Sequence, residues 1–357
     1  MADIADLYKG TGISKDQLSD DGEPCILYGE LYTKYKSETI REVVSKTNID
    51  NTKLVRSKAN DVIIPCSGET AEDIATARCV LNGNILLGGD LNIIRLHGYD
   101  GAFMSYQLNG KRKYDIAKVA QGVSVVHLYG EHLKGVKTFN PCLEEQKKIA
   151  GLLALLDERI TTQNKIIEDL KKLKSAIRKK MFSLLKDEYT ESFEINQLLD
   201  YEQPTAYIVA NDEYSTDTSL TPVLTANKGF ILGYTDEKFG IYQKGECIIF
   251  DDFTMDAKYV SFPFKVKSSA IKILTAKPNV NLRFMFEYLS YWELKSEGHK
   301  RHYISEIASL VIELPSKERQ SIIASLMTSL NSKLDIEAKT KIRYEEQKRY
   351  LLSQMFI

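Results

Sequence analysis

Pro141-Cys142-Leu143-Glu144-Glu145-Gln146-Lys147-Lys148-Ile149-Ala150-Gly151-Leu152 decides how this chain is organised, because it returns 174 residues later as Pro315-Ser316-Lys317-Glu318-Arg319-Gln320-Ser321-Ile322-Ile323-Ala324-Ser325-Leu326. Between Pro141–Phe182 and Pro315–Phe356, 11 of 42 positions are identical without a gap. About two or three identities are expected by chance for unrelated segments of this composition, so the repeat is genuine. Both copies close on Met-Phe, at Met181-Phe182 and Met355-Phe356.

Each copy reads as a long helix, with a Pro near its start and, Gly151 apart, neither Pro nor Gly afterwards. In the first, Ile149, Leu153, Leu156, Ile160, Ile167, Leu170, Ile177, Met181 and Leu184 fall at alternating spacings of three and four. Ile323, Met327, Leu330, Leu334, Tyr344, Leu351 and Met355 fill the same slots in the second. A seam sustained in this way predicts a coiled coil, about 60 Å long for ~40 residues. Gln163 and Lys174 interrupt the first seam, and Glu337 and Lys348 interrupt the second in register. Polar residues in such slots fix register and partner choice. Antiparallel packing of the two helices would put a globular head at each end of the rod.

The chain between the helices is different in texture. Residues 1–140 contain short β-like runs: Cys25-Ile26-Leu27-Tyr28, Asp61-Val62-Ile63-Ile64-Pro65 and Leu91-Asn92-Ile93-Ile94-Arg95-Leu96. Residues 187–313 contain Tyr207-Ile208-Val209, Thr221-Pro222-Val223-Leu224-Thr225, Gly229-Phe230-Ile231-Leu232-Gly233-Tyr234, Cys247-Ile248-Ile249-Phe250 and Ala270-Ile271-Lys272-Ile273-Leu274. Strands this short between turn residues predict twisted, mainly antiparallel sheets. With helical stretches such as Leu282–Leu289, each head is expected to be α+β. The expected division is a first head over 1–140, a central helix over 141–186, a second head over 187–313 and a final helix over 314–357.

Composition narrows the function classes. The 357 residues are 43% apolar and 27% charged, which excludes wholesale disorder. No apolar run reaches the ~18 residues of a membrane span, and Met1–Asp6 lacks the basic and apolar regions of a signal peptide. The five cysteines, Cys25, Cys66, Cys79, Cys142 and Cys247, have neither paired metal spacing nor a disulfide pattern, which suits a reducing cytoplasm.

Motifs for catalysis are missing. The chain has no phosphate-binding Gly-x4-Gly-Lys-Ser/Thr loop and no Gly-x-Gly-x-x-Gly. Asn140-Pro141-Cys142-Leu143 is similar to the Asn-Pro-Pro-aromatic motif of amino-methyltransferases but lacks the second Pro and the aromatic that would stack on a flipped base. Glu293-Leu294-Lys295 resembles part of a nuclease metal site, yet the upstream acid is absent. His299 and His302 have no third ligand.

Net charge is −1 overall but uneven: −1 over 1–142, +5 over 143–186, −8 over 187–313 and +3 over 314–357. An acidic second head is a poor stand-alone binder of phosphate backbones. Local basic clusters nonetheless stand at Lys111-Arg112-Lys113, Lys265-Val266-Lys267 and Lys300-Arg301-His302-Tyr303. Aromatic and amide side chains in predicted turns suit base edges or stacking.

The repeat strings, with Leu156-Asp157-Glu158-Arg159-Ile160, resemble the conserved helix opening of the specificity subunits of type I restriction–modification systems. Ile4–Ile13 is similar to the start of a target recognition domain in that family. Thr221–Thr235, followed by Ile248–Thr254, resembles one too. Cys142 stands where a second Pro is common, and Ser316-Lys317 replace Pro-Leu in the second copy. The resemblance implies a non-catalytic subunit with two recognition domains, each reading one half of a bipartite asymmetric site in double-stranded DNA. The helices would space the heads and dock two methyltransferase subunits, which use S-adenosylmethionine. Restriction subunits, using ATP and Mg, would complete a cytoplasmic bacterial or archaeal complex. No cofactor or metal is expected on this chain. A coiled-coil scaffold with two protein-binding heads is the alternative reading.

Loop position and chemistry nominate DNA contacts at Thr11, Ser14, Tyr28, Tyr32, Lys34, Ser67, Lys111, Arg112 and Lys113 in the first head. In the second they nominate Tyr207, Thr225, Asn227, Lys228, Lys265, Lys267, Lys300, Arg301 and His302.

Overall fold

The structure is a computed structural model that describes residues 1–50, 52–122, 125–185, 190–227, 229–292 and 306–356. It divides into two compact units, Met1–Lys165 with Ala338–Ile357 and Ile166–Glu337. Four helices carry the junctions between rod and heads: α1 (Gly101–Asn109), α2 (Leu143–Leu184), α3 (Leu282–Tyr291) and α4 (Lys317–Gln354). The long helices α2 and α4 start two residues after Pro141 and Pro315 and contribute one half to each unit.

The two units share one topology. In the first, the main sheet runs Ala5–Lys9, Leu91–Leu96, Asp61–Pro65, Arg78–Val80, Thr39–Ile40. In the second it runs Leu199–Glu202, Ile271–Ala276, Cys247–Asp251, Ala257–Val260. A smaller sheet accompanies each. Glu23–Ile26 pairs antiparallel with Ser45–Thr47 and parallel with Leu86–Leu87. Thr221–Leu224 pairs antiparallel with Ile231–Thr235 and parallel with Lys265–Val266. The heads are thus α+β and mainly antiparallel.

Period-two patterning explains why the central strands are apolar throughout. Val62 and Ile64 face a core containing Met104, Leu108 and Leu133, whereas Ile63 faces another with Ile26, Leu31 and Ile93. Ile248 and Phe250 face Phe284, Met285 and Phe182, whereas Cys247 and Ile249 face Tyr242 and Phe264. Tyr207-Ile208-Val209 departs from its expected strand. Pro204 fixes φ and removes a donor, so Pro204–Tyr207 is a 3-10 turn and only Ile208 bridges to Val266.

The helices are fixed to the heads by matching devices. Asp100 caps α1 by accepting from Phe103 N–H at 2.8 Å, and Asn281 caps α3 by accepting from Phe284 N–H at 3.0 Å. Phe103 packs edge-on against Phe356 of α4's end at 5.3 Å, and Phe284 packs against Phe182 of α2 at 5.5 Å. Such pairs add about 0.5–1.5 kcal/mol beyond the area they bury. In each unit the long helices run antiparallel. In the first, Ala150 and Leu153 share a cluster with Phe356, and Arg159 meets Tyr344. In the second, Phe182 shares a cluster with Ile323.

Candidate nucleic-acid interface

Between helices and heads lie two buried ionic clusters. In the first unit, Lys348 of α4 is held by Asp157 of α2 and Glu38 of the head. Asp157 also accepts from the hydroxyls of Tyr106, at 2.7 Å, and Ser37, at 2.8 Å. Burial, reinforced by the neighbouring Asp157 carboxylate and opposed by Lys348, raises the Glu38 carboxyl above its usual range. In the second unit, Glu287 of α3 is fully buried and takes Arg178 at 2.7 Å, Lys174 at 3.6 Å and Asn331 at 3.3 Å. Burial lowers the Lys174 ammonium below its usual value, with Glu287 opposing the shift. Lys174 and Lys348 are identical positions of the repeat, and Asp157 corresponds to Asn331. Glu287 stands six residues beyond its helix cap, as Tyr106 does.

The seam nominated from sequence runs inward. Leu153, Leu156, Ile323 and Met327 are buried. Ile149, Ile160, Ile167, Leu170, Ile177, Met181, Leu330, Leu334, Tyr344, Leu351 and Met355 are half-buried. Sequence reasoning passed over Gln146, Ala150 and Phe356, which are buried as well; their identity with Gln320, Ala324 and Phe182 across the repeat was the available signal.

In the first head, Ser14, Tyr28 and Lys34 line a cleft of about 910 Å³ with Lys15, Gln17 and Asp90. Tyr28 is exposed, but Lys34 is already engaged by Glu30 at 2.7 Å and by Ser45. Thr11 is half-buried and accepts from Val55 N–H. Tyr32 donates to the Ser67 backbone carbonyl, and the Ser67 hydroxyl lies 3.4 Å from His127 Nδ1, so neither side chain is presented freely. Lys111, Arg112 and Lys113 do not line the cleft. They follow Gly110, which packs on Leu352 of α4, and Arg112 pairs with Asp115 at 3.5 Å.

In the second head, Asn227 and Lys267 are exposed at the ends of two paired strands, and Lys267 N–H donates to the Leu224 carbonyl. Three nominated contacts are corrected. Tyr207 is buried with its hydroxyl on Glu202, and Thr225 is buried. Lys265 is only 3% exposed, ion-paired with Glu237 at 2.8 Å and bonded to the Phe239 carbonyl at 2.7 Å. It braces a turn instead of meeting solvent. That turn holds Gly240 at φ +62, where a Cβ would strike the Ala206 carbonyl. It presents Phe239, 88% exposed, which sequence reading missed. Lys228, Lys300, Arg301 and His302 lie outside the described residues, as do Glu293-Leu294-Lys295, His299 and Tyr303.

Among the described residues, no three His, Cys, Asp or Glu side chains group as a metal site, and no helix is long and apolar enough to cross a membrane.

Residues 188–346 match the type I restriction modification DNA specificity domain. The EcoR124I/EcoR124II specificity subunit of Escherichia coli is 39% identical over 178 residues, covering 44% of this chain and 43% of that protein. The MjaVIII specificity subunit of Methanocaldococcus jannaschii is 28% identical over 181 residues, covering 50% and 41%. The chain thus spans about two-fifths of the length of these curated relatives. The crystal structure of a type I system S subunit from M. genitalium superposes with TM-score 0.69 at 17% identity, over 100% of this chain and 94% of that one. A chain from a structure of type I system assembly superposes with TM-score 0.57 at 13% identity, over 98% and 95%. These two likenesses concern the fold.

Proposed function

We propose that this chain, whose residues 188–346 match the type I restriction modification DNA specificity domain, is the sequence-reading subunit of such a complex. Each head reads one half of a split site in duplex DNA, and the long helices set the distance between halves. The observation that carries this reading is the doubling itself. One scaffold topology is used twice, with identical residues at the buried junctions and different residues on the exposed loops: Ser14 and Tyr28 in one head, Asn227, Phe239 and Lys267 in the other. Shared packing with divergent surface chemistry is what two recognition modules on one frame require.

The same doubling supports two docked methyltransferases. Leu152 and Leu326 are identical positions of the repeat, yet both are exposed, at 45% and 39%. Leu155 and Ile322 add exposed apolar area nearby in sequence. Apolar side chains repeated on the outer faces of α2 and α4 suit one partner per unit. In this reading the chain performs no chemistry. Methyltransferases supply S-adenosylmethionine-dependent adenine methylation, and restriction subunits supply ATP- and Mg-dependent cleavage. The nominated domain limits, 1–140, 141–186, 187–313 and 314–357, follow the head and helix roles, and the setting is a bacterial or archaeal cytoplasm.

The test is long-read mapping of adenine methylation in cells expressing this chain with its methyltransferase. A new two-part motif with a fixed spacer is expected, and replacing residues 187–313 with another head should change one half only. A stable complex that leaves methylation unchanged would favour the scaffold reading.

A further inference from the structure

We propose that Lys348 and Lys174 are positioning residues that set the register of the long-helix pair, and hence the spacing on which the proposed function rests. The apolar seam cannot choose the register alone. Its residues recur every seven positions, so sliding α4 one heptad toward Asn164 in the first unit sets Leu351 and Met355 against Ile160 and Leu156 in place of Leu153 and Ile149. Lys348 breaks that degeneracy. Its ammonium is enclosed by Asp157, Glu38 and the face of Tyr106, whose ring centre is 5.6 Å away. A slide that carries Lys348 to Asn164 sets Met355 near Asp157 and leaves Asp157 and Glu38 without their cation; the opposite slide carries Lys348 to Ala150 and brings Lys341 to Asp157, but draws Leu351 and Met355 past Leu153 and Ile149 toward the polar start of α2. A buried charge stripped of its partner is strongly unfavourable, whereas a misplaced aliphatic residue is not. In the second unit the acid is Glu287 of α3, which takes two cations from α2, Arg178 at 2.7 Å and Lys174 at 3.6 Å, and Asn331 takes the place of Asp157, so Lys174 shares the register role with Arg178 there.

Because the acids that receive each lysine sit partly on a head, register is read against the head as well as against the other helix. This separates the device from an ordinary seam polar residue, which reports only on its partner helix.

Cysteine cross-linking in the full chain tests this without DNA. Cys142 is the exposed thiol and is first replaced by Ser; the other four cysteines are buried. Arg159 and Tyr344 meet through the tips of their side chains, so R159C/Y344C joined by a short bismaleimide that spans the two truncated side chains reports the native register. R159C/L351C and L152C/Y344C report slides of one heptad in either direction. With the lysines in place, only the native pair should cross-link above background. In K174M/K348M, at least one shifted pair should rise at least several-fold while the native pair falls. A folded K174M/K348M chain that cross-links through the native pair alone would overturn the proposal. Should that variant not fold, the charge exchange decides. K348D should lose native cross-linking and D157K/K348D should regain it; no recovery in a folded double variant also overturns it. Once register is known, methylation mapping asks a separate question. A register shift with an unchanged DNA spacer would refute the proposed ruler role but leave the register assignment standing.

Discussion

Gln146 and Gln320 make the same pair of bonds in the two units. Gln146 accepts the Asp100 N–H at 2.9 Å and donates to the Pro141 carbonyl at 2.7 Å. Gln320 accepts the Asn281 N–H at 2.9 Å and donates to the Pro315 carbonyl at 2.9 Å. One amide therefore ties the cap of a head helix to the start of a long helix, and both amides are about 1% exposed. Replacing either Gln by Leu strands a buried donor and acceptor. Each substitution should cost about 1–3 kcal/mol per unsatisfied group, seen as a lower urea midpoint of comparable size for both. An effect at one site only would break the equivalence.

Glu287 should be the most sensitive acid in the second unit. Glu287→Ala leaves Lys174 and Arg178 facing each other in a buried site. A loss of about 3–5 kcal/mol is expected on denaturant unfolding, since breaking a buried pair leaves an uncompensated charge. Adding Lys174→Met and Arg178→Met should recover part of it.

The first unit should respond to pH through Glu38. Its folded carboxyl sits above the unfolded value of 4.5, so the folded state binds the proton more tightly. The stability this contributes is complete below pH 4.5 and is lost as pH rises through the folded value. Glu38→Gln keeps the neutral form at every pH. The melting temperature of the variant relative to the parent should therefore climb between pH 4.5 and 8, measured by scanning calorimetry. A difference that stays flat across that range would contradict the assignment.

Phe239 and its brace separate two ways of meeting DNA. Phe239→Ala should weaken duplex binding by the methyltransferase complex several-fold, through loss of an apolar contact in the groove. Lys267→Met should flatten the salt dependence by about one phosphate contact. Lys265→Met should leave the salt slope unchanged, because its ammonium is spent on Glu237 and Phe239 inside the head. Fluorescence anisotropy across a salt series reads all three.

Leu152→Glu and Leu326→Glu test the two partner sites. Each alone should reduce the complex from two methyltransferases per chain to one in native mass spectrometry, and together they should leave none. Equal stoichiometry in all variants would place docking elsewhere.

The long helices were legible because a heptad seam is local information, and the identical residues Gln146, Ala150 and Phe182 mark where structure later finds burial. Strands Asp61–Pro65 and Leu91–Leu96 were legible at their ends, since turn residues bound an apolar run. The shared topology of the heads was not, because strand order depends on pairings such as Ile93 with Ile63, thirty residues apart, that no local pattern encodes. Lys265 was misread for the same reason. Beside Lys267 it has the look of a basic cluster, and only the turn around Phe239, folded over it from 26 residues away, makes it a strut. Lys174 and Lys348 were visible as polar interruptions, but Glu38 lies in a segment with no periodic signature, and the helical pattern of Leu282–Leu289 does not say that Glu287 faces a long helix distant in sequence.

Cys142, exposed one residue before α2 begins, has a practical consequence. The remaining four thiols are buried, and burial pushes Cys25 and Cys66 up to about 11 and Cys247 up to about 12, which suppresses their thiolates at neutral pH. A maleimide dye should therefore mark the unmodified chain once, at the foot of its long helix. Individual molecules could then be counted and followed on stretched DNA with no engineered handle.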